Sequence, residues 1–258
     1  MSRVTLRRLK TRELGPGSRF LYVGASGLGK STLMASILRT MTRTGRGDVG
    51  FVWSASAVGG MHQHADITKH FPLAYVSDAS TGVNWKRVAV CLKKVRELSV
   101  RRKLAFHFIF EDVGYDKSIR TAKPFNYLMT VGRHYACTHI SLHGATILSP
   151  MQRENADYIF ICNDTRKARR KQIHEQLVGD LTFAQFSALM NALKNHQALV
   201  YMPTKKIKKH WIERFAFYEV RDYAKVCGNW RFGKKEYWNA HSKHYDAEWL
   251  GKQIDKML

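Results

Sequence analysis

Phe20-Leu21-Tyr22-Val23-Gly24-Ala25-Ser26-Gly27-Leu28-Gly29-Lys30-Ser31-Thr32-Leu33-Met34-Ala35-Ser36-Ile37-Leu38 joins a short apolar run to a stretch with apolar side chains at helical spacing. Between the two, Gly24 to Ser31 match the pattern G-x-x-x-x-G-K-[ST], which cradles phosphates where it links a strand to a helix. Gly24, Gly27 and Gly29 let backbone N–H groups turn inward around a β-phosphate, and the N-terminus of the following helix adds a favourable dipole. Lys30 is then placed to reach the β- and γ-phosphates, and the Ser31 hydroxyl to ligate Mg²⁺. The candidate nucleotide-binding residues are therefore Gly24, Ala25, Ser26, Gly27, Leu28, Gly29, Lys30, Ser31 and Thr32, with ATP and Mg²⁺ as the implied ligands. A glycine-rich turn that binds nothing is the competing reading, and the Lys-Ser pair weighs against it.

The most strand-like run of the chain, Leu104 to Phe110, ends in two acids, Glu111-Asp112. A carboxylate at the C-terminal end of a central strand lies opposite a phosphate loop, where it holds Mg²⁺ through water while a neighbouring carboxylate activates the attacking water. Glu111 and Asp112 are the candidates for these two roles, with Ser31 as a further metal ligand. Without the phosphate loop, a strand ending in the polar turn Val113-Gly114-Tyr115-Asp116 would suffice. Val49 to Trp53, Cys137 to Leu142 and Asp157 to Cys162 are further strand-like runs, making five, and they alternate with amphipathic segments such as 85–98. The alternation implies an α/β P-loop NTPase of the ASCE, RecA-like kind, a three-layer sandwich with a mostly parallel central sheet. In that arrangement another strand separates the acid-bearing strand from the phosphate-loop strand. The expected division is a basic N-terminal segment (1–19), an ATPase core (20–200) and a basic, aromatic C-terminal extension (201–258).

Charge narrows the partner. The chain of 258 residues carries 43 Lys+Arg against 20 Asp+Glu, a net +23, a field that favours a polyanion. A small-molecule kinase needs only a few cations around its phosphates. Arg166-Lys167-Ala168-Arg169-Arg170-Lys171 and Lys205-Lys206-Ile207-Lys208-Lys209-His210-Trp211 are dense basic blocks, either solvated turns or phosphate-binding segments. From Tyr223 onward, Trp230, Phe232, Tyr237, Trp238, Tyr245 and Trp249 interleave with cations, a pattern that suits either base stacking or a packing layer on the core. No run approaches the roughly 18 apolar residues of a membrane span, and Met1 to Arg8 lack the apolar region of a secretory signal. Cys91, Cys137, Cys162 and Cys227 have no C-x-x-C spacing, so neither a zinc module nor a disulfide framework is indicated. His62/His64 and His241/His244 have metal-compatible spacings without nearby Cys or carboxylate partners, so surface histidines are the preferred reading.

Gly132-Arg133-His134, a strand, then Leu148-Ser149-Pro150-x-x-Arg153-x-Asn155 and another strand follow the two motifs in order. From about Phe20 to Cys162 this set resembles the viral genome-packaging ATPases of poxvirus type, which belong with the FtsK/HerA-like translocases. The resemblance implies ATP-driven movement of double-stranded DNA into a preformed capsid by a homo-oligomeric ring, hexamer or pentamer, docked on a capsid or portal-like vertex protein. It also implies a place in the virion or the host-cell virus factory. Such a ring needs positive charge at the transferring phosphoryl group from a neighbouring subunit, and Arg153 and Arg133 are the candidates. Two departures stand out. The family commonly ends the strand after Gly-Arg-His in a γ-phosphate-sensing glutamine, whereas this chain has Leu142-His143-Gly144, which makes His143 the candidate polar sensor; and the acids read Glu-Asp where Asp-Asp or Asp-Glu is usual, so the resemblance implies Glu111 at the Mg²⁺ position and Asp112 at the water-activating one. Another nucleic-acid-dependent P-loop ATPase or helicase, a nucleoside or nucleotide kinase, and a regulatory NTP-binding module remain as alternatives.

Overall fold

The apolar runs become the middle of an eight-stranded sheet. The computed structural model describes residues 5–56, 67–101, 103–207 and 209–244. In chain order the elements are β1 (Arg19–Val23), α1 (Lys30–Arg43), β2 (Val49–Ser54), β3 (Val76–Asp78), α2 (Trp85–Arg101), β4 (Phe106–Glu111), α3 (Lys123–Thr130) and β5 (Ala136–Leu142). They continue with α4 (Pro150–Glu154), β6 (Tyr158–Cys162), α5 (Lys167–Leu177), α6 (Phe183–Asn191), β7 (Gln197–Tyr201), β8 (Phe215–Glu219), α7 (Tyr223–Cys227) and α8 (Lys235–His244). The strand order is β3-β2-β4-β5-β1-β6-β7-β8. Pairing is parallel from β3 to β6, and β7 and β8 each add antiparallel. As expected for an ASCE-type sheet, β5 separates acid-bearing β4 from β1, and the phosphate loop follows β1.

Every residue of β1 is buried, because both faces of the sheet are covered. Leu21 and Val23 enter a core shared with Val88 and Leu92 of α2, Phe125 of α3, Ile173 of α5 and Phe186 of α6. Phe20 and Tyr22 enter the opposite core with Leu33, Ile37 and Leu38 of α1 and Tyr237 of α8. Helix-sheet-helix layering follows directly. The sheet also extends past residue 200: β8 pairs with β7 from Gln197↔Glu219 to Tyr201↔Phe215.

Two buried polar systems tie the central strands together. Arg19, 2% exposed, donates from Nε to Asp157 Oδ2 at 2.9 Å and from Nη1 to the Met129 carbonyl at 2.7 Å, so its charge is paired where it is desolvated. Beneath α1, His107 Nε2 lies 2.7 Å from the Arg46 carbonyl, His107 Nδ1 lies 2.9 Å from His139 Nε2, and His139 Nδ1 lies 3.0 Å from the Tyr22 hydroxyl. The carbonyl only accepts, so the chain resolves one way: His107 Nε2–H donates to Arg46, His139 Nε2–H to His107, and Tyr22 O–H to His139. Both imidazoles are neutral. Burial pushes His107 down to about 4, against the partial opposition of the Arg46 carbonyl and Asp48, and lowers His139 well below its ordinary value.

Of the tail aromatics, Trp230 stacks on His70 with centroids 4.0 Å apart and Phe232 on Phe71 at 4.7 Å. The Tyr237 hydroxyl donates to the Gly50 carbonyl at 2.5 Å and Trp238 Nε1 to the Phe232 carbonyl at 2.8 Å. These four form a packing layer over the β2 side of the sheet. Tyr245, Trp249, Lys208, His62 and His64 lie outside the described residues, as does the His244 side chain. Among the described residues no helix is long and apolar enough to cross a membrane.

Candidate nucleotide site

The phosphate loop leaves β1 at Gly24, whose N–H donates to the Leu142 carbonyl at the end of β5 at 3.2 Å. A Cβ at Gly24 would lie 2.8 Å from Cys162 Cβ, so the close approach of β6 demands glycine here. Gly27 and Gly29 are required for a different reason: both have left-handed backbones, φ 78° and 86°, with open space where a Cβ would stand. α1 starts at Lys30 with Gly29 as its N-cap, and its first N–H groups are directed into the loop. Lys30 is 4% exposed. Its Nζ donates to the Ala25 carbonyl at 3.2 Å and stands 3.8 Å from Asp112 Oδ1.

The two acids diverge because Glu111 is the last residue of β4 while Asp112 is the first of the turn. Glu111 is buried and faces β2, where Ser54 Oγ donates to its Oε2 at 2.9 Å. Asp112 adopts φ 50°, and its N–H donates to Ser141 Oγ of β5 at 2.9 Å. That turn swings its carboxylate toward β1, so Asp112 fronts the cleft. His143 joins it, with Nε2 3.8 Å from Asp112 Oδ1, and the His143 carbonyl accepts from Arg169 of α5. Partial burial lowers the His143 pKa, and the Lys30 and Arg169 charges add to this while Asp112 opposes it, so the ring is neutral at neutral pH. The fold thus brings Lys30, Asp112 and His143 together. Ser54 and Ser141, which position the acids, carry no sequence signal, because their roles arise from the β2/β4 and β4/β5 registers.

Arg133 and Arg153 belong elsewhere on the chain. Arg133 is exposed in the turn before β5; β5 and β1 begin together, with Arg19 opposite Thr138, so Arg133 stands at the sheet edge opposite the phosphate loop. Arg153, in α4, donates from Nη1 to the Leu148 carbonyl at 2.7 Å. Two residues on, Asn155 Oδ1 accepts from Arg19 Nη1 at 3.4 Å, so α4 ends near that same far edge. Neither arginine lines the nucleotide cleft of its own chain.

The cleft itself measures about 880 Å³, ample for a nucleotide. Ser26 to Leu33 and Asp112 form one side, while Asn163, Thr165, Lys194 to Ala198, Val220 and Tyr223 form the other. That second side comes from the end of β6, the start of β7 and the turn after β8, which antiparallel pairing brings to one edge: Cys162 opposes Ala198 and Gln197 opposes Glu219. None of its residues was singled out by the sequence for nucleotide contact.

The donor set suits Mg²⁺ and ATP. The Ser31 hydroxyl and the Asp112 carboxylate are oxygen donors that line the cleft, with Glu111 buried behind them against Ser54, and Mg²⁺ in such sites takes one or two carboxylates plus substrate phosphates. Among the described residues no group of three or more His, Cys, Asp or Glu is placed to hold a metal without such phosphates.

No protein-family model matches the chain. It is 24% identical over 227 residues to uncharacterized protein 088R of Invertebrate iridescent virus 3, across 86% of this chain and 82% of that protein. It is 27% identical over 237 residues to uncharacterized protein 075L of Invertebrate iridescent virus 6, across 88% and 89%. In structure it is similar to the genome packaging NTPase B204 of Sulfolobus turreted icosahedral virus 2 in complex with ATP-γ-S, with TM-score 0.55, 13% identity and coverage of 79% of this chain and 98% of that one. The AMPPCP complex of the same NTPase gives TM-score 0.57 at 12% identity, covering 81% and 100%. At these identities the likeness is one of fold: the sheet and its flanking helices are arranged as in that P-loop NTPase.

Proposed function

We propose that this chain is an ATP-hydrolysing motor that drives double-stranded DNA into a viral capsid. The observation that carries the reading is the meeting of Lys30, folded over a complete phosphate loop, with Asp112 at 3.8 Å across the intervening β5. It is supported by the B204 fold, by sequence relatives in two invertebrate iridescent viruses, and by the net +23 charge. Mg²⁺, when bound, neutralises charge developing on the β- and γ-oxygens. Ser31 and Glu111 would hold it and Asp112 would orient the water, Lys30 would bind the phosphates, and neutral His143 would contact the γ-phosphate end as a hydrogen-bonding group. Arg153, with Arg133, acts at the phosphates of a neighbouring subunit, because both stand away from the cleft of their own chain. This predicts a ring of the poxvirus-type, FtsK/HerA-like kind, seated on a capsid or portal-like vertex. Backbone phosphate contacts suit such a motor, since they are identical at every step along the duplex.

The test is ATP hydrolysis by the purified protein at low salt, with and without long duplex DNA, beside Lys30→Ala. Stimulation by duplex that Lys30→Ala abolishes supports the motor. Turnover indifferent to DNA, with phosphate passed to a nucleoside or nucleotide, identifies a kinase instead. Arg153→Ala is expected to lose turnover while keeping nucleotide affinity; wild-type turnover removes it from the reacting centre.

A further inference from the structure

From the cleft's second wall we infer a nucleobase subsite built by the elements added after β6, with the Tyr223 ring as the surface on which the base stacks and His196 as its neighbour. The inference rests on the nucleotide-binding reading above. Hydrolysis fixes direction: Asp112 and His143 mark the γ-phosphate end, on the β4–β5 side of the phosphate loop. The α-phosphate and nucleoside must therefore leave on the other side, over β6, β7 and β8, and the cleft continues that way without interruption to Thr165, Lys194, Asn195, His196 and Tyr223.

What stands at that end suits a planar heterocycle. Tyr223 is 48% exposed, and its hydroxyl lies near the side chains of Cys227, at the end of its own helix, and of Thr32 in the first turn of α1. His196 lies across from it, with ring centroids 6.1 Å apart and planes inclined by 41°. Its backbone is held at φ 61°, a conformation that a non-glycine residue seldom adopts, while its carbonyl accepts from the Val220 N–H at 3.1 Å. Neighbouring Gln197 is already engaged, with Lys194 N–H donating to its Oε1 at 3.0 Å and its Nε2 donating to Glu219 at 3.3 Å. The Asn195 and Thr165 side chains make no hydrogen bond to the described residues, which leaves them for ribose hydroxyls or a base edge. Two π-faces with few fixed polar groups give a platform that holds a base mainly by stacking.

Titration calorimetry with a non-hydrolysable ATP analogue and, separately, with inorganic tripolyphosphate, both with Mg²⁺, separates the base from the phosphates. Tyr223→Ala is expected to weaken the analogue about tenfold, within the range of base stacking on an aromatic ring, and to leave tripolyphosphate affinity unchanged. Tyr223→Phe keeps the ring and is expected to bind the analogue like wild type. His196→Gly, which suits the positive φ and so spares the backbone, is expected to weaken the analogue alone. Lys30→Ala loses both ligands. Equal losses for analogue and tripolyphosphate in Tyr223→Ala, no loss for the analogue in either ring variant, or a Tyr223→Phe defect as large as that of Tyr223→Ala would overturn the base subsite while the phosphate site stands. Wild-type protein that binds neither ligand would overturn the nucleotide-binding reading, and the subsite with it.

Discussion

The buried Tyr22–His139–His107 chain makes stability depend on acid in a way that one substitution isolates. His107 is pushed down to about 4 from an ordinary 6.5 because burial disfavours its charged form. A group whose folded pKa is depressed takes up its proton first in the unfolded chain, so below pH 6.5 the unfolded state holds more protons and stability falls with pH. Each pH unit in that window costs about 1.4 kcal/mol, so the full interval from 6.5 to 4 removes about 3 kcal/mol and the part down to pH 5 about 2 kcal/mol. His107→Gln is the informative perturbation. Its amide N–H replaces the donor to the Arg46 carbonyl, its amide oxygen replaces the acceptor for His139, and it does not titrate. His139 shifts in the same direction and is present in both proteins. Urea unfolding followed by tryptophan fluorescence at pH 7.5 and pH 5.0 should show wild type losing about 2 kcal/mol more than His107→Gln across the interval. Equal losses would refute the argument, since they would mean that His107 is charged in the fold or already solvated.

Three further outcomes follow from the site. Gly24→Ala brings a methyl group within 2.8 Å of Cys162 Cβ, so it should cost about 1–3 kcal/mol in urea unfolding, as overpacked sites do; an unchanged midpoint would show that β6 yields freely. Asp112→Asn and Glu111→Gln should each keep nucleotide binding yet slow steady-state hydrolysis by roughly 10²-fold or more, the scale of lost proton-transfer chemistry; hydrolysis within twofold of wild type in either would take that acid out of the reaction. DNA affinity should fall about 10³–10⁵ between 50 and 200 mM salt if six to ten phosphates are contacted, and a shallow slope in filter binding would contradict a basic DNA-tracking surface.

Elements with strong local patterns were legible from the sequence alone: the phosphate loop, the run ending in Glu111-Asp112 and the strands at 49–53, 137–142 and 157–162 all fall within two residues of their positions in the fold. β7 and β8 were not anticipated. Gln197 to Tyr201 is a short apolar run like the others, but its antiparallel addition beside β6 depends on non-local pairing that no window of sequence contains. The same holds for Ser54 and Ser141, ordinary strand residues until register sets them against Glu111 and Asp112. Trp230 and Phe232 left two readings open because their partners, His70 and Phe71, lie some 160 residues earlier in the chain.

The +23 total also overstates what faces a polyanion. Arg19 is sunk against Asp157, Arg46 donates to the Leu14 and Thr11 carbonyls, Arg166 pairs with Asp164, and Arg170 donates to the Asp164 carbonyl and to Asn191. Within the first basic block, the exposed cations without such ties are Lys167 and Lys171, and Lys171 already has Glu175 at 3.8 Å. The second block sits between β7 and β8. Because β7 runs antiparallel to β6, with Tyr201 opposite Ile159, it carries the chain back to the edge where β1 begins, so Lys206 and Lys209 lie across the sheet from the phosphate loop. The two blocks therefore stand at opposite edges of the sheet. Of the two, the first adjoins the cleft: Asn163 and Thr165 line the cleft immediately before it, and Arg169 within it holds the carbonyl of His143. In the proposed motor, a change at the γ-phosphate thus reaches DNA through Lys167 and Lys171, while the distant block supplies affinity that does not vary with the nucleotide. Lys167→Ala/Lys171→Ala should accordingly reduce the stimulation of hydrolysis by duplex more than it reduces DNA binding, and Lys206→Ala/Lys209→Ala the reverse; identical effects from the two pairs would show that the coupling runs through neither edge in particular.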